Sequence, residues 1–397
     1  MDNTHLDQSF IRLFLRFLRF GCLAWGGPVA QIAMIKKELV EEEKWISTDQ
    51  FNRALAVYQV LPGPEAHELC VYFGMRAKGR WGGFLAGLGF MLPGLLLMLF
   101  FTWFYLTYGL QSTLIQTFFI GVQAAVVALI FFAVYRIGKH SIVNYKLFVI
   151  AVCGAISFFP GTNFLFILPL AGACYVFWNK GNLMPFLLGI TLASITLLTI
   201  YYKGVTVSPA AAEQIEAVKH QNIFTVFITG LKAGLLSFGG AYTAIPIVQQ
   251  DAVVTHQWMT QRQFLDGIAL SGILPAPLII FSTFVGYFGG GWLGAIVITI
   301  GVFLPAFSFT LIGHSVLEKI IANKALHQFL DGVTAGVIGL IAVTAIKLFL
   351  TTITSVSTII LFFITLVVLV KFRSKYMILL VIAGAGLLSL LWHFALQ

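Results

Sequence analysis

Charge is scarce in this chain. Only 10% of its 397 residues are Asp, Glu, Lys or Arg, against about a quarter in a soluble domain. No polar stretch is long enough to build a soluble nucleotide-binding unit, and no GxxxxGKS/T motif occurs, so ATP is not an expected energy source. Cysteine is equally thin. Cys22, Cys70, Cys153 and Cys174 stand without CxxC or zinc-ligand spacing, which argues against a disulfide framework and a structural metal. There is no HExxH either, and His140, His256, His314 and His327 read as loop or helix-end residues. The residues therefore call for neither metal nor cofactor.

Apolar sequence fills the space that charge leaves. Hydrophobic residues make up 59% of the chain, in runs such as FLAGLGFMLPGLLLMLFFTWFYL (84–106), long enough to cross lipid. The fold class expected is all-α, a polytopic membrane protein embedded in a lipid bilayer. The N-terminal stretch DQSFIRLFLRFLRFGCLAW carries its arginines inside the apolar segment and reads without a cleavable leader. A net charge of +9 could suggest nucleic acid, but the basic residues sit in short connections: RAKGR (76–80), RIGKHSIVNYK (136–146), NKGN (179–182), EKIIANK (318–324) and KFRSK (371–375). Nearly uncharged connections alternate with them. This is the positive-inside pattern. It predicts about thirteen transmembrane helices in the cytoplasmic membrane, with the N-terminus cytoplasmic and the C-terminus outside. Residues 36–53 and 202–222 fit less well, carrying lysines diluted by acids such as Glu213 and Glu216. Segments 147–159 and 164–178 are short for full spans and leave a re-entrant hairpin open.

The chain repeats itself. Residues 14–64 slide onto 227–277 with a constant shift of 213. Gly26–Gly27 meet Gly239–Gly240, Trp45 meets Trp258, Gln50–Phe51 meet Gln263–Phe264, and Leu61, Pro62 and Pro64 meet Leu274, Pro275 and Pro277. Farther on the shift drifts slightly: Trp81 pairs with Trp292, Pro93 with Pro305, Gly121 with Gly332. Such in-register matches mark a duplication. Corresponding loops exchange charge character, RAKGR against GGGW (289–292) for example, so the two copies are expected upside down relative to each other. Three units follow: residues 1–180, a first repeat of about six helices; residues 181–222, a connecting helix and external loop; and residues 223–397, a second, inverted repeat. Inverted repeats with broken helices are the architecture of many secondary transporters.

The breaks are the chemically interesting part. LPGP (61–64) and LPAP (274–277) interrupt helix through proline and glycine, and AWGGPV (24–29) and SFGGAY (237–242) form a second pair. Helix N-termini exposed at such breaks favour an anion, although close packing alone accounts for any single break. The candidate binding residues are Gly26, Gly27, Pro28, Pro62, Gly63, Pro64, Gly239, Gly240, Pro275 and Pro277. Charge inside lipid is costly, about 2.5–3.5 kcal/mol per Arg or Lys at a helix centre, so Arg19 and its counterpart Lys232 are candidate cationic partners of an anion. Arg12 and Arg16 read as part of a snorkelling helix face, and Arg136 and Lys347 as interfacial anchors. Glu65, His67 and Glu68 follow the first break, where the second half has Leu278, Ile280 and Phe281. They are candidates for carrying a coupling proton, or are equally an N-terminal cap with a satisfied histidine.

These residues resemble the chromate ion transporters, in their long form with two homologous domains. The similarity rests on FLRFGCLAWGGPVAQIAMI (17–35), EKWISTDQF (43–51) and LPGPEAHELCVYFGMRAKGRWGG (61–83), with echoes LLSFGGAYTAIPIVQQD and WMTQRQFLDGIALSGILPAP in the second half. It implies a carrier for the oxyanion chromate, acting as an efflux pump that gives chromate resistance, with sulfate as a competitor or related substrate. Ala276 stands where the first half has Gly63, a departure that bears on whether both breaks move alike. With no nucleotide site, an ion gradient such as that of protons is the expected energy source. A passive anion channel and an intramembrane enzyme around Glu65, His67 and Glu68 remain as other classes.

Overall fold

The computed structural model describes residues 9–395 except 110, 182–183, 207–221, 239, 322, 373 and 375. The acids Glu213 and Glu216, on the segment expected as an external loop, and the candidate Gly239 lie outside the described residues. The fold is all-α: helices α1 (Phe10–Cys22), α2 (Gly27–Ile35), α3 (Thr48–Val60), α4 (Glu65–Phe104), α5 (Thr113–Ser141), α6 (Tyr145–Phe158), α7 (Phe164–Asn179) and α8 (Met184–Thr206) are followed by α9 (Ile223–Leu235), α10 (Ile245–Gln249), α11 (Gln261–Gly272), α12 (Phe281–Ile321), α13 (Lys324–Thr352), α14 (Val356–Lys371) and α15 (Met377–Ala395). Among the described residues, six helices are long and apolar enough to cross a membrane, and four shorter apolar helices accompany them. The protein is a multi-pass membrane protein.

By sequence, the proline and glycine breaks read as interruptions of helices that continue. The structure gives them a sharper shape, because the chain turns back at each one. Phe51 of α3 stacks on Phe73 of α4 at 6.4 Å, and Tyr58 lies 6.1 Å from Tyr72. Partners whose numbers converge on residues 62–64 define an antiparallel hairpin with LPGP at its tip. Likewise Arg16 pairs with Glu43 and Arg19 with Glu38 across the tip at Trp25–Pro28. The second segment repeats both hairpins. Lys232 meets Asp251 across the tip at 236–240, and Phe264 meets Phe281 at 5.7 Å across LPAP. Legs such as α1 and α3, of 13 residues each, extend about 20 Å, well short of a hydrocarbon core of about 30 Å.

α4 and α12 are themselves folded. At Gly79 (φ 63, ψ −158) and Gly291 (φ 62, ψ −151) the backbone leaves helix in a left-handed conformation that suits glycine. A Cβ on Gly74 would strike Gly82 and Ala86, and one on Gly286 would strike Gly294 and Ile298. The short first leg of each element therefore lies back against its long second leg. Small details recur at the same spacing: Lys44 and Gln257 both have φ 53, and Ser47–Gln50 and Thr260–Gln263 form matching capping boxes.

The two segments interlock. α5 packs on α14 and α15, and α13 packs on α6 and α7. Glycines allow these approaches: a Cβ on Gly121 would meet the Ala385 carbonyl, and one on Gly332 the Ala171 carbonyl. The Ser389 hydroxyl donates to the Thr117 carbonyl at 2.8 Å. The principal apolar core draws on α5, α11, α12, α13 and α14 together, so the hairpins are held inside a scaffold built from both segments.

Candidate functional site at the hairpin tips

The four tips meet in cross-wise pairs. The Gly63 N–H donates to the Ser237 carbonyl at 3.3 Å, which joins LPGP to the first tip of the second segment. The Gln31 amide donates to Ala24 at 2.8 Å and to Ala276 at 3.2 Å, which joins the first tip to LPAP. Pro62, Gly63, Pro64, Gly240, Pro275 and Pro277 are buried there, while Gly26, Gly27 and Pro28 are half-buried. Directly after the tips, α2 begins at Gly27 and the first leg of α4 at Glu65, so each joined pair of tips carries a helix N-terminus with its positive dipole end.

Buried polar atoms without partners mark the same junction. Glu68 is fully buried, and neither of its carboxyl oxygens has a hydrogen-bond partner. It sits under the tip: a Cβ on Gly63 would lie 3.0 Å from Glu68 Oε1. The Gln31 Oε1 is unpartnered as well. Leaving such groups unpaired in an apolar setting costs about 1–3 kcal/mol each in proteins. His67 is buried among aromatic rings, 4.7 Å from Phe307 and 4.9 Å from Phe303. Glu65, at the helix start, is half-buried. Among the described residues no group of three or more His, Cys, Asp or Glu side chains is placed to hold a metal.

Arg19 and Lys232 occupy matching places, but each already has an acid. Arg19 pairs with Glu38. Lys232 Nζ lies 2.9 Å from Asp251 Oδ2, which also accepts from the Thr229 hydroxyl at 3.0 Å. Arg16 pairs with Glu43 and lies over the Trp45 ring, while Arg12 is exposed. The ion pairs clamp the legs of their hairpins below the tips. Sequence reading did not find these acids as partners, because pairing across a hairpin becomes visible only once the chain is known to fold back.

A second polar cluster also escaped it. Asp266 in α11, 4% exposed, accepts from the Tyr105 hydroxyl and from the Gln123 amide, both at 2.7 Å. It ties the leg leading to LPAP to α4 and α5. Partners 161 and 143 residues away leave no local signal. Arg136, expected as an interfacial anchor, is exposed near the C-terminal end of α5.

Comparison with known proteins agrees with this architecture. The family model described as chromate transporter matches residues 11–204 and 224–390, in two segments. A chromate transport protein of Pseudomonas aeruginosa is 54% identical over 343 residues, covering 86% of this chain and 81% of its own length. A chromate transport protein of Cupriavidus metallidurans is 31% identical over 397 residues, covering 98% of this chain and 94% of its own. No solved structure matches. The chain belongs to the chromate transporter family, in its form with two homologous domains.

Proposed function

We propose that this protein carries chromate out of the cell across the cytoplasmic membrane, by alternating access to an oxyanion site at the four hairpin tips. The observation that carries the reading is the cross-wise joining of tips, Gly63 to Ser237 and Gln31 to Ala276. Each joined pair thereby sets a tip of one segment against a tip of the other beside a helix start, with the unpartnered polar atoms of Glu68 and Gln31 close by. In this reading residues 1–180 and 223–397 are inverted halves linked by 181–222, with the N-terminus cytoplasmic and the C-terminus outside. Hairpins entering from opposite faces would then place their tips near mid-membrane, where half-helix termini serve transporters as binding groups. Rocking of one half against the other exposes the junction to each side in turn.

Energetics favour export. A dianion leaving an inside-negative cell gains about 4.6 kcal/mol per 100 mV, twice the value for one charge. A proton gradient couples through Glu65 or Glu68, with His67 beside them, since an ionised carboxylate next to the bound dianion is unfavourable unless protonated. Sulfate, of the same charge and shape, competes. The protein is a carrier with no enzymatic step and no cofactor, and export confers chromate resistance.

The test is labelled chromate flux into proteoliposomes, with and without a pH gradient, with sulfate as competitor. Saturable, gradient-dependent chromate flux inhibited by sulfate is the expected result. Flux of sulfate alone would overturn the substrate. Unsaturable flux indifferent to any gradient would make the protein a channel, and no flux of either oxyanion through folded protein would end the carrier reading.

A further inference from the structure

No Asp or Glu occurs between Glu68 and Glu213. The cations of this long stretch therefore have no acid near them in sequence. Among the described residues no carboxylate pairs with Lys146 or Lys180. These two lysines belong to the basic connections 136–146 and 179–182, and the structure brings both to one end of the α6–α7 pair. The Lys146 ammonium donates to the Trp178 carbonyl at 3.3 Å and to Asn179 Oδ1 at 3.0 Å. Lys180 lies over the Phe177 ring at 5.8 Å. Beside them the Tyr145 and Trp178 rings meet edge to face at 6.1 Å. Basic residues among tyrosine and tryptophan are what a membrane–water interface collects.

An apolar cavity of about 540 Å³ reaches that end. It lies between α6, α7 and α8, with Cys153 and Gly154, Ile167 and Trp178, and Phe186 and Gly189 among its walls. From Trp178 to Ile167 the α7 wall extends about 16 Å, starting at the aromatic belt and continuing away from it. The α8 side is open: Phe186 is 71% exposed, and a Cβ on Gly189 would meet nothing within 4 Å.

A groove of this shape suits an acyl chain, and its mouth decides which lipid. Lys146 directs two of its three ammonium donors at the end of α7, which leaves the third for a phosphate oxygen, with the charge of Lys180 nearby. A cation at a helix C-terminus also stabilises the helix dipole, which accounts for the bonds of Lys146 but not for the cavity beginning beside them. In the orientation proposed above both connections are cytoplasmic, on the leaflet where anionic lipids concentrate and where basic pockets between helices bind their headgroups. We infer that the groove between α6, α7 and α8 is a binding site for one anionic phospholipid of the bilayer, its acyl chain in the cavity and its phosphate at Lys146 and Lys180. The inference requires only that the protein lies in a membrane and stands apart from the carrier reading.

The experiment titrates phosphatidylglycerol, and separately phosphatidylcholine with the same acyl chains, into the full chain in detergent micelles. Native mass spectrometry reads the lipid-bound fraction. Wild type should hold one phosphatidylglycerol per chain, with a Kd at least about fivefold below that for phosphatidylcholine, the size expected of one lysine near a headgroup. Lys146→Gln should raise the phosphatidylglycerol Kd about fivefold and leave that for phosphatidylcholine nearly unchanged. Gly189→Phe fills the groove and should weaken both lipids about tenfold, through lost burial of the chain. Lys371→Gln, an exposed cation at the end of α14, should change neither. Equal Kd values for the two lipids in wild type, or a wild-type phosphatidylglycerol Kd in either Lys146→Gln or Gly189→Phe, overturns the inference. A lipid-free mass of two chains that Gly189→Phe returns to one makes the groove a subunit interface and overturns it as well. If Gly189→Phe does not yield monodisperse protein, Ala193→Phe on the same wall decides: a raised Kd for both lipids supports the site, and an unchanged Kd overturns it.

Discussion

Gln31 offers a sharp test of how the tips are held. Its side chain is 1% exposed and one amide nitrogen donates to carbonyls of two different hairpins, Ala24 at 2.8 Å and Ala276 at 3.2 Å. Replacing it with Met keeps length and volume while removing both bonds, so no large cavity forms. Two buried carbonyls then lose a donor, at about 1–3 kcal/mol each, with the longer bond at the low end. Against this, the Oε1 of Gln31 is already unpartnered, and deleting it recovers part of the cost. The net destabilisation expected is about 1–3 kcal/mol. Gln31→Ala adds lost packing and should cost more.

The assay is reversible unfolding of purified protein in mixed micelles, with chromate KM measured in parallel. Because the bond to Ala276 fixes one tip against the other, Gln31→Met should also raise KM by a factor of a few, through loosened geometry at the junction. Wild-type stability together with wild-type KM in Gln31→Met would refute the idea that this amide clasps the tips. A stability loss without any change in KM would place the clasp away from the substrate.

Two further outcomes follow from the hairpin geometry. Lys232→Met should cost about 3–5 kcal/mol, because it strands Asp251, whose side chain is 6% exposed; adding Asp251→Asn should recover most of the loss. Arg19→Gln should cost at most about 1 kcal/mol, since Arg19 is 55% exposed, and equal losses at the two sites in unfolding titrations would refute the burial argument. Gly63→Ala places a methyl at φ 147 and 3.0 Å from Glu68 Oε1, for about 1–3 kcal/mol of strain. Glu68→Ala in that background should relieve the contact part alone, and full recovery would show that the backbone carries no strain.

Much of this was legible in the residues. Composition gave the all-α membrane fold, and the motifs around Gly26–Gly27 and Pro62–Pro64 led to the family. The shift of 213 pointed to pairs, such as Trp45 with Trp258, that lie beside matching capping boxes. The breaks were visible too, but not their sense. A proline and a glycine say that helix stops; they do not say whether the chain continues or reverses. That depended on contacts such as Phe51 with Phe73, which no periodicity encodes. Arg19 looked unpaired because Glu38 is nineteen residues away, and Asp266 looked ordinary because Tyr105 and Gln123 belong to the other segment.

The two segments have kept their frame and diverged at their tips, and that division has a mechanical reading. The turn at Gly79 is matched at Gly291, and the strained residue Lys44 is matched at Gln257. In and around the tips the halves part company: under the shift of 213, Gln31 corresponds to Ala244, Gly63 to Ala276, Glu65 and Glu68 to Leu278 and Phe281, and Arg53 to Asp266. A carrier that rocks between two access states needs frames of similar energy, or one state would dominate. On the proposed carrier reading it has no such need at the substrate, which would meet both halves in each state. Polar chemistry can then collect on one side, at Gln31, Glu65 and Glu68, while the other side becomes the apolar wall of Phe303 and Phe307. Restoring symmetry by Ala276→Gly should therefore change the tip's flexibility without creating a second polar site, and transport should depend on the first-half acids as before.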